Sequence, residues 1–106
     1  MIEKYYMEAV ETIVKHFPEI VFNSCGGFVP LQAEGKIFGK DFYFRIRHEH
    51  ASLTVGFLKK DAYIPEGTTV EKDMDNFIGN DFAEEFQKVF IELMKTYLTE
   101  QYTHGI

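Results

Sequence analysis

Apolar and polar positions alternate in the middle of the chain and follow a helical spacing toward both ends. Residues 31–37 and 42–47 place apolar or small side chains at every second position, and residues 52–57 repeat this alternation. A period of two is typical of strands that bury one face. The sequence therefore predicts a three-stranded antiparallel sheet over about residues 31–58.

The segment before this sheet carries a helical pattern. Apolar side chains in residues 3–16 step by three and four and share one stripe, which predicts a helix. Pro18 ends this helix, because proline disfavours helical geometry in the residue before it. Residues 20–22 form a short β-type run, and residues 23–27 have the composition of a loop.

The segment after the sheet carries two further helical patterns. Thr68 and Glu71 have the spacing of a capping box and predict a short helix over about residues 69–78. A longer apolar stripe predicts a second helix over residues 82–102. The predicted fold class is α+β, a single domain over residues 1–106 with all helices packed on one face of the sheet.

The hairpin between the first two predicted strands can be given a register. Gly39-Lys40 suits a two-residue turn that needs a positive φ at its first position, so Phe38 is paired with Asp41. The core face then pairs Ile37 with Phe42, Gly35 with Phe44 and Ala33 with Ile46. The other face pairs Lys36 with Tyr43, Glu34 with Arg45 and Gln32 with Arg47. A tight loop at residues 48–51 then aligns Leu53 with Ile46, Val55 with Phe44 and Phe57 with Phe42.

The polar face of this sheet is the first candidate site. Tyr43, Arg45 and Arg47 point to the same side, beside Glu34 and Lys36 on the neighbouring strand. Arginine binds carboxylate or phosphate in a bidentate manner, and tyrosine stacks on a base or another ring. This surface is suited to an anion, a nucleic-acid strand or another protein. The competing interpretation is a solvated face held together by the Glu34–Arg45 pair.

One segment has a likeness to known proteins. The string GKIFGKDFYFRIR at residues 35–47, followed by Ser52-Leu53, resembles a hairpin found in short uncharacterised proteins of phages and mobile elements. The resemblance implies an accessory role related to phages. It implies no activity, binding site or cofactor.

Composition places the chain among ordinary globular proteins, with 45% hydrophobic and 26% charged residues. No run of about 18 apolar residues could span a membrane, and Met1 leads into Ile2-Glu3 without an apolar signal segment. The lone Cys25 has no partner for an internal disulfide. We therefore expect a cytoplasmic protein without a membrane partner.

Charge is distributed unevenly along the chain. Residues 1–60 carry a net charge of +1 and residues 61–106 a net charge of −7. The overall net charge of −6 argues against a protein that coats nucleic acid, because phosphate binding depends on clustered Lys and Arg. The dense acidic positions form a second candidate, a surface for a basic partner, consisting of Asp73, Asp75, Asp81, Glu84 and Glu85. The alternative is the solvated side of two helices.

Two further motifs contain residue types that serve in catalysis or metal binding. His48-Glu49-His50 has the spacing of two imidazoles on one strand, but a turn at this point would separate them, and no third ligand is evident. Cys25 precedes Gly26-Gly27, without the helix N-terminus or cation that would lower a thiol pKa. We therefore predict no catalytic residues, no metal and no cofactor.

The sequence by itself does not determine the function. The leading hypothesis is a small non-catalytic protein-binding or regulatory module whose partner is another protein or a second copy of the chain. An alternative is single-stranded nucleic-acid or anion binding on the face that carries Tyr43, Arg45 and Arg47. A third is an enzyme that uses Cys25.

Overall fold

The computed structural model describes residues 1–74 and 81–104. A 3-10 turn at Lys4–Tyr6 leads into α1 (Met7–His16), followed by β1 (Ile20–Gly26), β2 (Leu31–Ile37), β3 (Lys40–Arg47), β4 (His50–Phe57), β5 (Glu66–Asp73) and α2 (Phe82–His104). The α+β class is confirmed, with an antiparallel sheet between an N-terminal and a C-terminal helix. The predicted number of strands is wrong, because the sheet has five strands rather than three.

The sheet is a meander in which each strand pairs with its neighbour in sequence, in the order β1-β2-β3-β4-β5. The edge at β1 is partly covered by the start of the chain. The Glu3 amide donates to the Cys25 carbonyl at 2.8 Å, and the Cys25 amide donates to the Met1 carbonyl at 3.1 Å. These bonds satisfy backbone groups that an open sheet edge would leave unpaired.

The fifth strand replaces most of the short helix predicted over residues 69–78. That prediction is wrong for the described residues, since Glu66–Asp73 is a strand, and residues 75–78 lie outside the described residues. Val70 pairs with Leu53 on β4 and is 7% exposed. Burial against β4, together with β-branched side chains at Thr68 and Thr69, outweighs the local capping-box pattern.

The first strand is longer than the pattern indicated. The loop predicted at residues 23–27 is instead strand as far as Gly26. The register with β2 shifts between Phe22 and Ser24, which marks a bulge at Asn23. The bulge absorbs one residue and returns Cys25 to the buried face of the sheet.

The predicted hairpin register is wrong by two residues. Phe38 and Gly39 form the turn with φ values of 51° and 77°, and Ile37 pairs with Lys40. The observed pairs are Gly35–Phe42, Ala33–Phe44 and Leu31–Ile46 on the core side, with Glu34–Tyr43 and Gln32–Arg45 on the other side. The third strand is displaced likewise, with the pairs Phe42–Val55, Phe44–Leu53 and Ile46–Ala51. Because the displacement is an even number, each side chain keeps its predicted face.

Both helices lie against the same face of the sheet, as predicted. The apolar side chains of α1, α2 and this face form one hydrophobic cluster among the described residues. Its centre is built from phenylalanine rings: Phe22, Phe42, Phe44, Phe86 and Phe90. The opposite face of the sheet has no helix packed on it in the described part of the chain.

Candidate binding surface

The sheet face that points away from the helices is termed the open face. Alternation along the strands brings polar side chains from β2 to β5 onto it. Its charged side chains are Lys36, Arg45, Arg47, Glu34, Asp41, Glu71 and Asp73, together with the titratable His50. Three cations against four carboxylates make this a surface of mixed charge rather than a basic one. The five residues predicted for the polar face all lie on it.

Among the residues that the structure describes, Arg45 and Arg47 are the cations of the open face without an anionic partner. The observed register places Arg45 opposite Gln32 and Ser52, so the predicted Glu34–Arg45 pair does not form among the described residues. Arg45 is half-buried, and its Nε is buried without a hydrogen-bond partner. Because the Nε is enclosed, an incoming anion would meet the terminal amino groups of the guanidinium, which can make a bidentate contact.

The tyrosine predicted for stacking is covered in the structure. Tyr43 is only 5% exposed, and the ring of Tyr63, from the β4–β5 loop, packs edge-on to it at 6.2 Å between centroids. Burial raises the pKa of the Tyr43 hydroxyl above its ordinary value. Tyr63 is 68% exposed, so it is the aromatic ring that this part of the open face presents. The sequence pattern missed Tyr63 because it lies in a loop without alternation.

Asp41 anchors the same loop to the sheet. Its Oδ2 accepts a hydrogen bond from the Leu58 amide at 3.1 Å, and its Oδ1 accepts one from the Lys36 ammonium at 3.0 Å. The backbone hydrogen bond, followed by the lysine, lowers the pKa of the Asp41 carboxyl. Asp41 and Lys36 therefore form an ion pair that also holds the loop to the sheet.

A charge cluster joins β4 to the edge strand β5. The Nδ1 of His50 lies 2.9 Å from Asp73 Oδ1, and its Nε2 lies 3.1 Å from Glu71 Oε1. Both contacts are hydrogen bonds only when the imidazole is protonated and each ring nitrogen donates. The hydrogen bonds to Asp73 and Glu71 raise the pKa of His50 above its ordinary value of 6.5.

The His50 cluster predicts a loss of stability as the pH rises. A group whose pKa is raised in the folded state stabilises the fold fully at pH values below its ordinary pKa. This stabilisation is lost as the pH rises through the pKa of the folded state. Between about pH 6 and about pH 8.5 we expect the free energy of unfolding to fall by less than about 1 kcal/mol, since the cluster is exposed. Urea unfolding across this range measures the effect.

The control for this pH dependence is a pair of histidine variants. His50→Gln should remove the histidine component, whereas His48→Gln, in the adjoining turn, should retain it. An unchanged pH profile in His50→Gln would show that the cluster does not hold β5 to β4.

The acidic residues predicted as one surface are divided between two places. Asp73 lies on the open face, whereas Asp81, Glu84 and Glu85 lie at the start of α2, and Asp75 lies outside the described residues. Asp81 Oδ1 accepts hydrogen bonds from the Ala83 amide at 3.0 Å, the Glu84 amide at 3.3 Å and the Tyr5 hydroxyl at 3.1 Å. Asp81 is therefore the N-cap of α2.

The two histidines of His48-Glu49-His50 are in different environments. His48 has a φ of 56° in the β3–β4 turn, whereas His50 begins β4. Within the described ranges, no group of three or more His, Cys, Asp or Glu side chains is arranged to hold a metal ion.

Cys25 faces the core. Its side chain is 1% exposed, and burial, with a smaller contribution from Glu3, raises the thiol pKa to about 12. A nucleophilic cysteine requires the opposite shift, because the thiolate is the reactive form. The structure thus gives no support to an enzyme based on Cys25.

The burial of Cys25 predicts slow alkylation. In the folded protein near pH 7.5 we expect iodoacetamide to react at least about 100-fold more slowly than in denaturant, because labelling requires opening of the core. Mass spectrometry over time measures the rate. A Lys88→Cys variant in a Cys25→Ser background supplies an exposed thiol as the control. Equal labelling rates for the two thiols would show that Cys25 is accessible.

No protein-family model, curated protein or solved structure matches the chain. In the portion of the chain that the structure describes, no helix is long and apolar enough to cross a membrane.

Proposed function

We propose that this protein is a small non-catalytic binding module that acts by contact with another protein on the open face of its sheet. The observation that carries the proposal is the placement of both helices on one face, which leaves the mixed-charge face free among the described residues. Protein interfaces commonly combine aromatic and arginine side chains with complementary charges. The open face offers Tyr63, Arg45 and Arg47 in this way.

The resemblance of residues 35–47 to a hairpin of phage and mobile-element proteins supports an accessory role in such an element. An accessory module of this kind would act through its partner rather than through chemistry of its own.

Single-stranded nucleic acid is the second candidate, favoured by the exposed ring of Tyr63 and by the guanidiniums of Arg45 and Arg47, with which no described residue forms an ion pair. The carboxylates on the same face weigh against it, because a polyphosphate crossing the sheet would meet them. A fluorescent oligothymidylate tests this candidate directly. Salt-sensitive binding that is lost in an Arg45→Ala/Arg47→Ala variant would support it, and no binding by the parent protein would reject it.

The test of protein binding compares two charge-reversal variants. Arg45→Glu/Arg47→Glu alters the open face, whereas Lys88→Glu alters an exposed position on α2 as the matched control. Each protein is immobilised, partners recovered from the host cell are identified, and each candidate is purified and its affinity measured by titration calorimetry. Interfacial arginines often contribute about 2 kcal/mol or more, so the open-face variant should bind at least about 30-fold more weakly.

The affinities of the two variants for a purified partner decide between support and rejection of the proposal. A purified partner that loses affinity for the open-face variant and keeps it for Lys88→Glu supports the proposal. Equal affinity for both variants, or no partner together with a monomeric protein in light scattering, overturns it.

A further inference from the structure

We infer that the open face is the contact surface between two copies of this chain, related by a twofold axis that runs along β4. This inference rests on the proposed function, because it names the partner that the open face binds. It comes from the order of charges across β3, β4 and β5.

Opposite charges of the open face lie on the two sides of β4. Residues that are paired across the strands form rows, termed levels. From β3 to β5, two neighbouring levels on this face consist of Arg45, Ser52 and Glu71, and of Arg47, His50 and Asp73. A pair of cations on one side of β4 therefore stands level with a pair of carboxylates on the other side. With strands about 4.8 Å apart, the two pairs are separated by about 10 Å.

A twofold rotation makes this pattern complementary to itself. Rotation by 180° about an axis parallel to β4 and just above the face exchanges the positions of β3 and β5 but keeps each level. Arg45 of one copy then meets Glu71 of the second copy, and Arg47 meets Asp73. The symmetry repeats both contacts, so four ion pairs form in an isologous interface.

The sizes of the side chains also differ between the two sides of β4. In the next row, Tyr43, whose ring is in edge contact with the exposed Tyr63, lies on the β3 side, and Thr69 lies on the β5 side. One level further, Asp41 on β3 stands level with Gly56 and Gly67 on β4 and β5. The twofold operation places the side of β4 that carries the large exposed ring of Tyr63 in one copy over the side that carries the smaller Thr69 in the other.

The groups that would form these contacts are available. No described residue makes a hydrogen bond or ion pair with the guanidinium of Arg45 or Arg47. The side chains of Glu71 and Asp73 are 59% and 94% exposed, although both contact His50. Because the axis runs along β4, only β3, β4 and β5 of the two copies overlap. Three strands about 4.8 Å apart and about 25 Å long give a projected contact of about 360 Å² per copy, the size of a weak interface whose register the four ion pairs would set.

A second copy suits this face better than nucleic acid does. The carboxylate pair on β5 would repel a phosphate chain that followed the arginines, whereas it is the required counterpart in the twofold arrangement. The charge pattern thus distinguishes the two occupants.

The experiment uses two variants of the full chain with opposite charge reversals. Arg45→Glu/Arg47→Glu makes the face wholly acidic at these levels, and Glu71→Arg/Asp73→Arg makes it wholly basic. Light scattering after size exclusion, at about 100 μM protein, reports the mass of each variant and of their equimolar mixture. Lys88→Glu is the control, and circular dichroism confirms that each variant is folded.

We expect the parent protein and Lys88→Glu to have twice the 12.4 kDa mass of one chain. Each reversal variant should dissociate at least about 100-fold more readily, because like charges then face each other. The mixture should return to the dimer mass, since the twofold arrangement places every reversed side chain opposite an opposite charge. Raising the salt concentration should weaken the parent dimer.

A monomeric parent protein, dimers that persist in both reversal variants, or a mixture that stays monomeric would each overturn the inference. Oligothymidylate binding that is lost only in the arginine variant, with a monomeric parent, would assign the face to nucleic acid instead. A monomeric parent whose purified partner is lost in the arginine variant would reject the second copy and retain the proposed function.

Discussion

Replacing Phe90 by alanine is expected to lower the free energy of unfolding by about 3–5 kcal/mol. Phe90 is 0% exposed. Its ring centroid lies 5.2 Å from that of Phe22, 5.4 Å from Phe42, 5.1 Å from Phe44 and 5.9 Å from Phe86. Truncation would leave a cavity between α2 and strands β1 and β3, because four rigid rings cannot collapse into the vacated space. The loss is a large share of the about 5–15 kcal/mol that stabilises a typical domain.

Urea unfolding followed by circular dichroism measures this loss. Phe57→Ala is the matched control, because Phe57 is 62% exposed and its truncation should change the stability by no more than about 0.5 kcal/mol. A Phe90→Ala protein as stable as Phe57→Ala would mean that α2 does not pack on the sheet as described.

The second large effect is expected at Gly35, where a valine should cost at least about 3 kcal/mol. A Cβ at this position would collide with the carbonyl oxygen of Val21 and lie 2.7 Å from the ring of Phe42. The carbonyl belongs to the β1–β2 ladder, so it cannot move without breaking the pairing of the two strands. The absence of a side chain at Gly35 thus leaves the space that the Phe42 ring occupies.

Gly39→Asn is the control for Gly35→Val. A Cβ on Gly39 meets no heavy atom within 4 Å, and its φ of +77° is one that asparagine adopts more readily than most residues. The cost should stay below about 1 kcal/mol. Chemical unfolding of both variants makes the comparison, and similar costs would contradict the close approach at Gly35.

The alternation of residues 31–58 predicted β2, β3 and β4 and the face of each side chain. Each of these strands is half-buried, so its own pattern records which side meets the core. The turn was misjudged because Gly39 was placed first in it, whereas the hairpin uses Phe38 first and Gly39 second, and a bulky residue at positive φ is uncommon. The predicted face of each side chain is nevertheless correct, because the observed register differs from the predicted one by two residues.

The parts that sequence reasoning missed depend on partners distant in the chain. Val70 becomes part of a strand because Leu53 pairs with it, and nothing in the local capping pattern of Thr68 and Glu71 signals that contact. The candidate site was affected in the same way. Arg45 and Arg47 can be placed on one face from the alternation of β3 alone. Their alignment across β4 with Glu71 and Asp73 can be seen only when β5 is recognised as a strand.

The sequential order of the five strands has a consequence for folding kinetics. Every strand pairs with its neighbour in sequence, so each hairpin closes only a short loop and can form early. The contact between α1 and α2 joins the two ends of the chain and carries the largest loop-closure entropy. Helix docking should therefore follow the transition state, so substitutions that strengthen the α1–α2 contact should slow unfolding and leave the folding rate nearly unchanged.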